Sequence, residues 1–455
     1  MITKPVITPA ANPQVPKPVG NYRWRIVALL FFATVVNYVD RTVLSFTIID
    51  DNFKRDMLGL SANQPLTEAA VAEFKVQMGY VDGAFKLMYA LGFILIGWLI
   101  DRIGTKKGYS IGIFLWSLAG IGTAFVGSLM GLRFMRGLLG LGEASNFPAA
   151  IKTVAEWFPK KERSLANGIF NAGTNIGVIL TALTIPFLTL AYGWRASFLI
   201  TGVLGAFLLI FWWVLYSKPE ENKHLSKEEL TYINSDASEE QAQEKIPWIK
   251  MLSYRQTWAL MVGKFLADPI WWFYLFWLPD FFNTNEALDQ KLDLKTVGIP
   301  FLVIYLVSDV GSIFFGWLST KFMQMGWSLN KARKTTMLIC ALCVVPTFFA
   351  SLTNNIYIAI ALIALAASAH QGWSANLYTF GSDLFPKSMV ASATGIGGMA
   401  GAIGGTLFGI ITGIVVAYVG YLPLFIFASV AYLLALGIIQ LILPRLEPIK
   451  KSEIA

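Results

Sequence analysis

Residues 25–51 read RIVALLFFATVVNYVDRTVLSFTIIDD, an apolar run long enough to cross a bilayer that nevertheless carries Asn37, Tyr38, Asp40 and Arg41 inside it. Charges within a membrane span are costly, so they face a watery cavity or each other and mark a substrate or proton path. Asp40 and Arg41 are adjacent, and neighbours on a helix point roughly 100° apart, so the two side chains look toward different partners. Either they serve such a path, or they form a neutralised pair that locks the first helix to its neighbours.

Working outward, composition sets the class. With 55% hydrophobic and 14% charged residues over 455 positions and a mean hydropathy of +0.58, the chain is too apolar for a soluble protein and reads as a polytopic membrane protein. Apolar segments fall near 25–48, 78–100, 109–127, 129–151, 164–190 and 195–216. After a polar interval they recur near 257–283, 296–320, 335–353, 356–380, 391–417 and 420–444. The reading is therefore all-α, with twelve transmembrane helices in two six-helix bundles, residues 25–216 and 257–444. A cytoplasmic tail over 1–24, a linker over 217–256 and a tail over 445–455 complete it. The first segment is too long for a signal-peptide core and lacks a clear small-residue cleavage site, so it stays as a helix.

The net charge of +8 is a topology signal, not a nucleic-acid footprint. With both termini cytoplasmic, roughly 25 of the 36 Lys and Arg lie in cytoplasmic tails and loops and about 6 outside. Arg102, Lys106 and Lys107, then Lys160, Lys161 and Arg163, then Lys331, Arg333 and Lys334 share that side. Cys340 and Cys343 sit in one apolar span and offer neither a disulfide framework nor a metal site. No G-x-x-x-x-G-K-[ST] loop occurs, which disfavours transport driven by bound ATP.

Within the second segment, Asp82, Lys86 and Tyr89 share a helical face. The first two are placed to neutralise each other near the outer end; Tyr89 either offers its hydroxyl to a cavity or packs in the bundle. The segment ends in Gly97-Trp98-Leu99-Ile100-Asp101-Arg102-Ile103-Gly104-Thr105-Lys106, where glycines allow a tight turn and close helix approach and the charges pair across helix ends. This pattern, G-x-x-x-D-R-x-G-x-[KR], resembles the loop between the second and third helices of the major facilitator superfamily. The resemblance implies a cytoplasmic gating role for Gly97, Asp101, Arg102, Gly104 and Lys106. An internal repeat agrees: Phe158-Pro159, Ala166-Asn167-Gly168 and Gly177 return 227 residues later as Phe385-Pro386, Ala393-Thr394-Gly395 and Gly404. Parallel halves with a mid-membrane site between them are the architecture of that superfamily.

The fourth segment carries Arg133, nearer the outer end, and Arg136 and Glu143, seven apart and nearly on one face. A deep carboxylate is a proton-carrier candidate: burial raises its pKa, a nearby arginine lowers it, and movement of the arginine switches it. The alternative is a structural Arg and Glu closing an interhelical network. Tyr38-Val39-Asp40-Arg41, Glu143-Ala144-Ser145-Asn146-Phe147-Pro148 and Glu156-Trp157-Phe158-Pro159-Lys160-Lys161-Glu162-Arg163 sharpen the resemblance to the anion:cation symporter family. Phe170-Asn171-Ala172-Gly173-Thr174-Asn175-Ile176-Gly177, Phe265-Leu266-Ala267-Asp268-Pro269 and Ala369-His370-Gln371 look most similar to its hexuronate branch. By motif position, the resemblance implies Asp40 and Glu143 as proton-coupling acids. It implies Tyr38, Arg41, Tyr89 and Arg136 as cavity residues that hold the organic anion or pair with those acids. Asn171, Thr174 and Asn175 join the substrate-binding candidates, and Thr174 stands where related galactonate transporters have Gln.

In the second half, Lys264 either meets a substrate carboxylate or is neutralised by Asp268 four residues on. Trp271 belongs to an aromatic cluster with Trp272, Phe273, Tyr274 and Trp277, rings suited to the apolar face of a sugar. His370, Gln371, Asn376 and Tyr378 supply polar atoms to an otherwise apolar segment. His370 either titrates near neutral pH or is a hydrogen-bonded structural histidine; His224 in the linker is a solvated one. Glycines at 395, 397, 398, 401, 404 and 405 let the eleventh helix approach its neighbours.

The expectation is a proton-coupled symporter of a sugar acid, a hexuronate such as glucuronate or galacturonate, in the inner membrane. It works as a monomer by alternating access, with no cofactor, no metal and no nucleic-acid partner, only protons, substrate and lipid. The alternatives are a carrier of an aldonate, aldarate or other organic anion, possible sodium coupling, a non-transporting membrane sensor, and, third, a membrane enzyme using paired carboxylates.

Overall fold

The computed structural model describes residues 20–235, 248–385 and 389–449. The chain runs through α1 Tyr22–Thr47, α2 Asp51–Leu58, α3 Glu68–Ile103, α4 Thr105–Thr123, α5 Leu129–Glu143, α6 Asn146–Trp157, α7 Lys160–Tyr192 and α8 Trp194–Leu215. Short α9 Lys227–Ile233 and α10 Trp248–Met251 follow. The second series is α11 Arg255–Thr284, α12 Gly298–Gln324, α13 Leu329–Val344, α14 Ile356–Leu384, α15 Val390–Tyr418 and α16 Leu422–Ile442. No strand occurs among the described residues. Of the expected features, residues 1–19, 236–247 and 450–455, Pro386 of the repeat and the side chains of Lys160 and Lys161 lie outside the described residues.

Nine helices among the described residues are long and apolar enough to cross a membrane. The remaining three segments of the sequence reading fall on α4, on α5 with α6, and on α11. Each has a physical reason to miss that test. α4 carries Lys106 and Lys107 in its first turn, α5 has only 15 residues before the helix is interrupted at Ala144–Ser145, and α11 carries Lys264, Asp268 and Asp280.

Starts and stops follow local chemistry. Asp50, Thr67, Ser128, Ser328 and Asn355 accept backbone N–H bonds at the starts of α2, α3, α5, α13 and α14. Gly104 joins α3 to α4 at φ +88°, a left-handed conformation that only glycine adopts without strain. The repeat is structural as well as sequential. A shift of 227 carries Leu129 and Trp157, the outer limits of α5 and α6, onto Ile356 and Leu384, the limits of α14. Phe158 and Phe385 both stop their helices in extended backbone, and Gly193 and Gly420, likewise 227 apart, both take positive φ.

Within the first series α1 lies along α7, α3 along α5, and α4 against α5 and α8. In the second, α11 lies along α15 and α12 along α14. The two series meet along two seams, α3 with α15 and α7 with α12, and α1 touches α11. Successive long helices run up and down, so the described chain ends and the linker share one end. Arg102, Lys106, Lys107, Arg163, Lys331, Arg333 and Lys334 lie at that linker end, as the charge pattern requires.

At the far end the seams are shut. A Cβ on Gly79 of α3 would lie 2.9 Å from the Cα of Gly413 on α15, and one on Gly298 would lie 2.8 Å from the carbonyl of Ala182. Phe46 meets Phe301 edge-on at 5.2 Å. Lys75 pairs with Asp280 at 3.3 Å, and the Tyr421 hydroxyl donates to the same carboxylate. Toward the linker end the seam helices part: Gly97, Gly168, Gly316, Gly395 and Gly398 face open space. The glycines of α15 therefore divide. Gly397, Gly401, Gly404 and Gly405 make the expected close approaches, to Leu260, Asp268, Phe265 and Lys86, while Gly395 and Gly398 do not. Gly97 likewise packs against nothing.

Candidate functional site

The six residues that motif position singled out in α1, α3 and α5 converge. Arg41 donates from Nε to Oε2 of Glu143 at 2.8 Å, with both side chains buried. Its guanidinium lies 4.4 Å from the Tyr38 ring, 4.7 Å from Tyr89 and 5.5 Å from Phe85. Trp272, from α11, adds a fourth ring at 5.9 Å. Aromatic faces attract a desolvated guanidinium, so the cage holds Arg41 in place without neutralising it. Arg136 donates from Nη2 to the Arg41 carbonyl at 3.0 Å and lies over Phe85.

Arg136 and Glu143 share α5, as their spacing requires, and the ion pair of Glu143 is with Arg41. Glu143 is the last residue of that helix, and its carboxylate reaches α1, where it accepts from Arg41. Asp40 points elsewhere, as adjacency on a helix demands. Asp40 is buried with no ion-pair partner among the described residues and with the Thr201 hydroxyl of α8 beside it, while the amide atoms of Asn37 are buried and unmatched. Asp40 looks toward α4, where a Cβ on Gly120 would stand 3.7 Å from Oδ1. The free Oε1 of Glu143, Nη2 of Arg41, and Nε and Nη1 of Arg136 are also buried and unmatched. Unpaired polar atoms at such depth are costly, so this cluster is built for more than holding helices together.

α7 reaches the site because Gly173 and Gly177 let it press against α1 at Phe31, Val35 and Tyr38. Asn171 is exposed, and Thr174 and Asn175 are buried. The Asn175 amide donates across the seam to Asp309 of α12. Asp82 and Lys86 pair at 2.6 Å, and Lys86 lies 5.2 Å from the ring of Trp272.

From the second series, Lys264 pairs with Asp268 at 2.9 Å and also donates to the Tyr378 hydroxyl at 3.0 Å. Trp271 stacks on His370 at 5.0 Å with planes 4° apart. His370 Nδ1 lies 2.7 Å from the Tyr432 hydroxyl, so this histidine is buried and hydrogen-bonded. Gln371 is half-buried beside it. The Asn376 amide donates to the Gly372 carbonyl at 2.9 Å and its oxygen accepts from Arg333. It serves the linker-end network of Arg333 and Asp383.

The loop residues stay within the first series. Asp101 pairs with Lys152 at 2.8 Å, Arg102 lies over Trp98 and Lys106 over Trp213. His224 is exposed and stacks on Tyr22. A far-end cleft of about 510 Å³, lined by Glu68, Lys75, Glu286 and Tyr421 among others, includes none of the central cluster. Asp309 and the Lys75–Asp280 pair were missed from sequence. Asp309 had a signal, being the one charge inside the apolar segment 296–320.

The Major Facilitator Superfamily profile matches residues 30–409. The chain is similar to the hexuronate transporter of Escherichia coli (strain K12), 30% identical over 439 residues, 96% of this chain and 97% of that one. It is also similar to the galacturonate transporter of Dickeya chrysanthemi, 31% identical over 354 residues, 77% and 96%. Among solved structures, an inward-facing, occupied bacterial homolog of the human lysosomal transporter Spinster has the same fold. Its TM-score is 0.69 at 18% identity, over 94% of this chain and 98% of that one.

Proposed function

The chain belongs to the Major Facilitator Superfamily, and on that footing we propose that it is a proton-coupled symporter of a sugar acid, a hexuronate such as glucuronate or galacturonate. It is a multi-pass membrane transporter of small organic anions and not an enzyme. In this reading twelve spans form two six-helix halves, residues 25–216 and 257–444, in the inner membrane. The basic linker end faces the cytoplasm, and the protein works as a monomer.

One observation carries the reading: a caged arginine held by a buried glutamate, beside a buried aspartate with no cationic partner among the described residues. An arginine binds carboxylates through parallel N–H bonds, so a substrate carboxylate competes with Glu143 for Arg41. Protonating Glu143 removes that competitor and frees Arg41. Asp40, close enough to belong to the same cluster, supplies a second proton site. Losing proton and substrate together at the open end restores the Arg41–Glu143 pair. Alternating access then follows from which end of the two seams is shut.

The test is uptake of labelled glucuronate into proteoliposomes under an inward proton gradient, with Asp40→Asn and Glu143→Gln beside the native chain. Uphill uptake lost in both variants, with exchange of pre-loaded substrate retained in Asp40→Asn, supports the mechanism. Full uphill uptake by both variants sinks it.

A further inference from the structure

We infer that Asp309 selects the substrate: it accepts hydroxyl hydrogen bonds from the end of the sugar acid remote from Arg41 and rejects a ligand that carries a carboxylate at both ends. The inference rests on the sugar-acid reading above and deepens it.

Its first support is position. The α7–α12 seam is shut at Gly298 and Ala182, still closed where Asn175 meets Asp309, and open at Gly168 and Gly316. Those two glycines are each seven residues further toward the linker end, about two turns or ~10 Å along their helices. Asn175 and Asp309 thus meet between the shut far end of this seam and its open linker end. The arginine cage adjoins the same stretch of α7: Gly177 packs against Tyr38, and Tyr38 underlies Arg41.

Charge is the second support. Arg41, Lys86 and Lys264 are held by Glu143, Asp82 and Asp268. Asp309 has no cation within ion-pair distance among the described residues, only the neutral amide of Asn175. A half-buried, uncompensated carboxylate is a strong acceptor for sugar hydroxyls and a poor neighbour for a second anion. One turn along α12 the Tyr305 hydroxyl is buried and unmatched, and its ring meets the edge of Trp271 at 5.9 Å. Asp309 and the half-buried Trp271 therefore offer the hydroxyl-bearing end of a sugar one polar contact and one aromatic ring, with Tyr305 buried behind them. Discrimination by a repulsive group is a general route to specificity.

The experiment measures inhibition of labelled glucuronate exchange by unlabelled glucuronate and by glucarate, which differ in having one or two carboxylates. In the native chain glucarate inhibits at least tenfold more weakly. Asp309→Asn, which keeps an acceptor and removes the charge, shrinks that ratio at least fivefold. Asn175→Ala, which breaks the seam bond and keeps the charge, leaves the ratio within about threefold. An unchanged ratio in Asp309→Asn, equal inhibition in the native chain, or an equal collapse in Asn175→Ala overturns the inference. A native chain that exchanges galactonate and no hexuronate refutes the hexuronate reading instead. The galactarate to galactonate ratio, measured with the same variants, then decides the role of Asp309.

Discussion

Substituting Gly413 with alanine should turn the transporter away from the state described here. The new Cβ would lie 2.7 Å from the Cα of Gly79 and 2.7 Å from the Lys75 carbonyl, both backbone atoms that no side-chain rotation can move. Ordinary van der Waals contact begins near 3.4 Å, so α3 and α15 must separate by several tenths of an ångström along the far half of their seam. Overpacking of this kind costs about 1–3 kcal/mol, and here it is paid only while the far end is shut. In a two-state equilibrium that strain moves the population about 5- to 150-fold toward the far-end-open state. The assay is labelling of a single Gly168→Cys reporter, in a Cys340→Ser and Cys343→Ser background, by a bulky maleimide supplied at the linker end. Gly168 faces open space here, so the parent should label readily and Gly413→Ala more slowly, in proportion to its smaller linker-end-open fraction. Gly437→Ala, at a glycine with nothing within 4 Å, is the control and should label like the parent. Equal labelling in Gly413→Ala and the parent would refute the coupling of far-end packing to linker-end opening.

Two further outcomes are expected. Lys75→Met removes the ion pair to Asp280 that spans the two series and should slow Gly168→Cys labelling severalfold, in the same direction as Gly413→Ala; faster labelling would mean that the pair does not hold the far end shut. Gly104→Ala forces a Cβ into φ +88°, at a cost of roughly 1–2 kcal/mol, whereas Gly97→Ala meets no atom. Thermal unfolding in detergent should show a lowered Tm for the first and none for the second, and the opposite order would dismiss the turn as the reason for glycine at 104.

What was legible in the sequence was periodic or charged. The apolar segments located the long helices, the lysines and arginines put their loops at one end, and the two buried acids stood out because apolar spans rarely carry them. Partners were harder. A spacing of seven does put Arg136 and Glu143 on one face of α5, but it cannot say that Arg41, from another helix, takes the carboxylate. The break that follows was legible: Pro148 lacks the N–H that would bond the Ala144 carbonyl, and its ring crowds that carbonyl. Asn376 suited a sugar by composition, yet its own helix and Arg333 engage it, because a buried amide must satisfy its hydrogen bonds with whatever is nearest. The α15 glycines could not be sorted by pattern: whether a glycine meets a neighbour or open space depends on which end of the seam is shut.

The repeat has a chemical consequence as well as an architectural one. A shift of 227 carries Glu143 onto His370. Gly177 packs on the Val35 carbonyl and Gly404 on the Phe265 carbonyl, so α1 and α11 correspond with a shift of 230, which carries Arg41 onto Trp271. Two equivalent backbone positions therefore hold an ion pair at 2.8 Å in one half and a stacked ring pair at 5.0 Å in the other. A proton alters the first pair by cancelling one of its charges. The second is an aromatic surface whose histidine already has a hydrogen-bond partner in Tyr432. On the proposed mechanism, proton binding at the ion pair would bias one half directly, and the other would respond through the bridges between them, among them Trp272 over Arg41, the Asn175–Asp309 contact and a substrate lying between Arg41 and Trp271. A ligand that reaches Arg41 alone should release the pair without drawing the halves together, so obligatory coupling requires a substrate long enough to touch both.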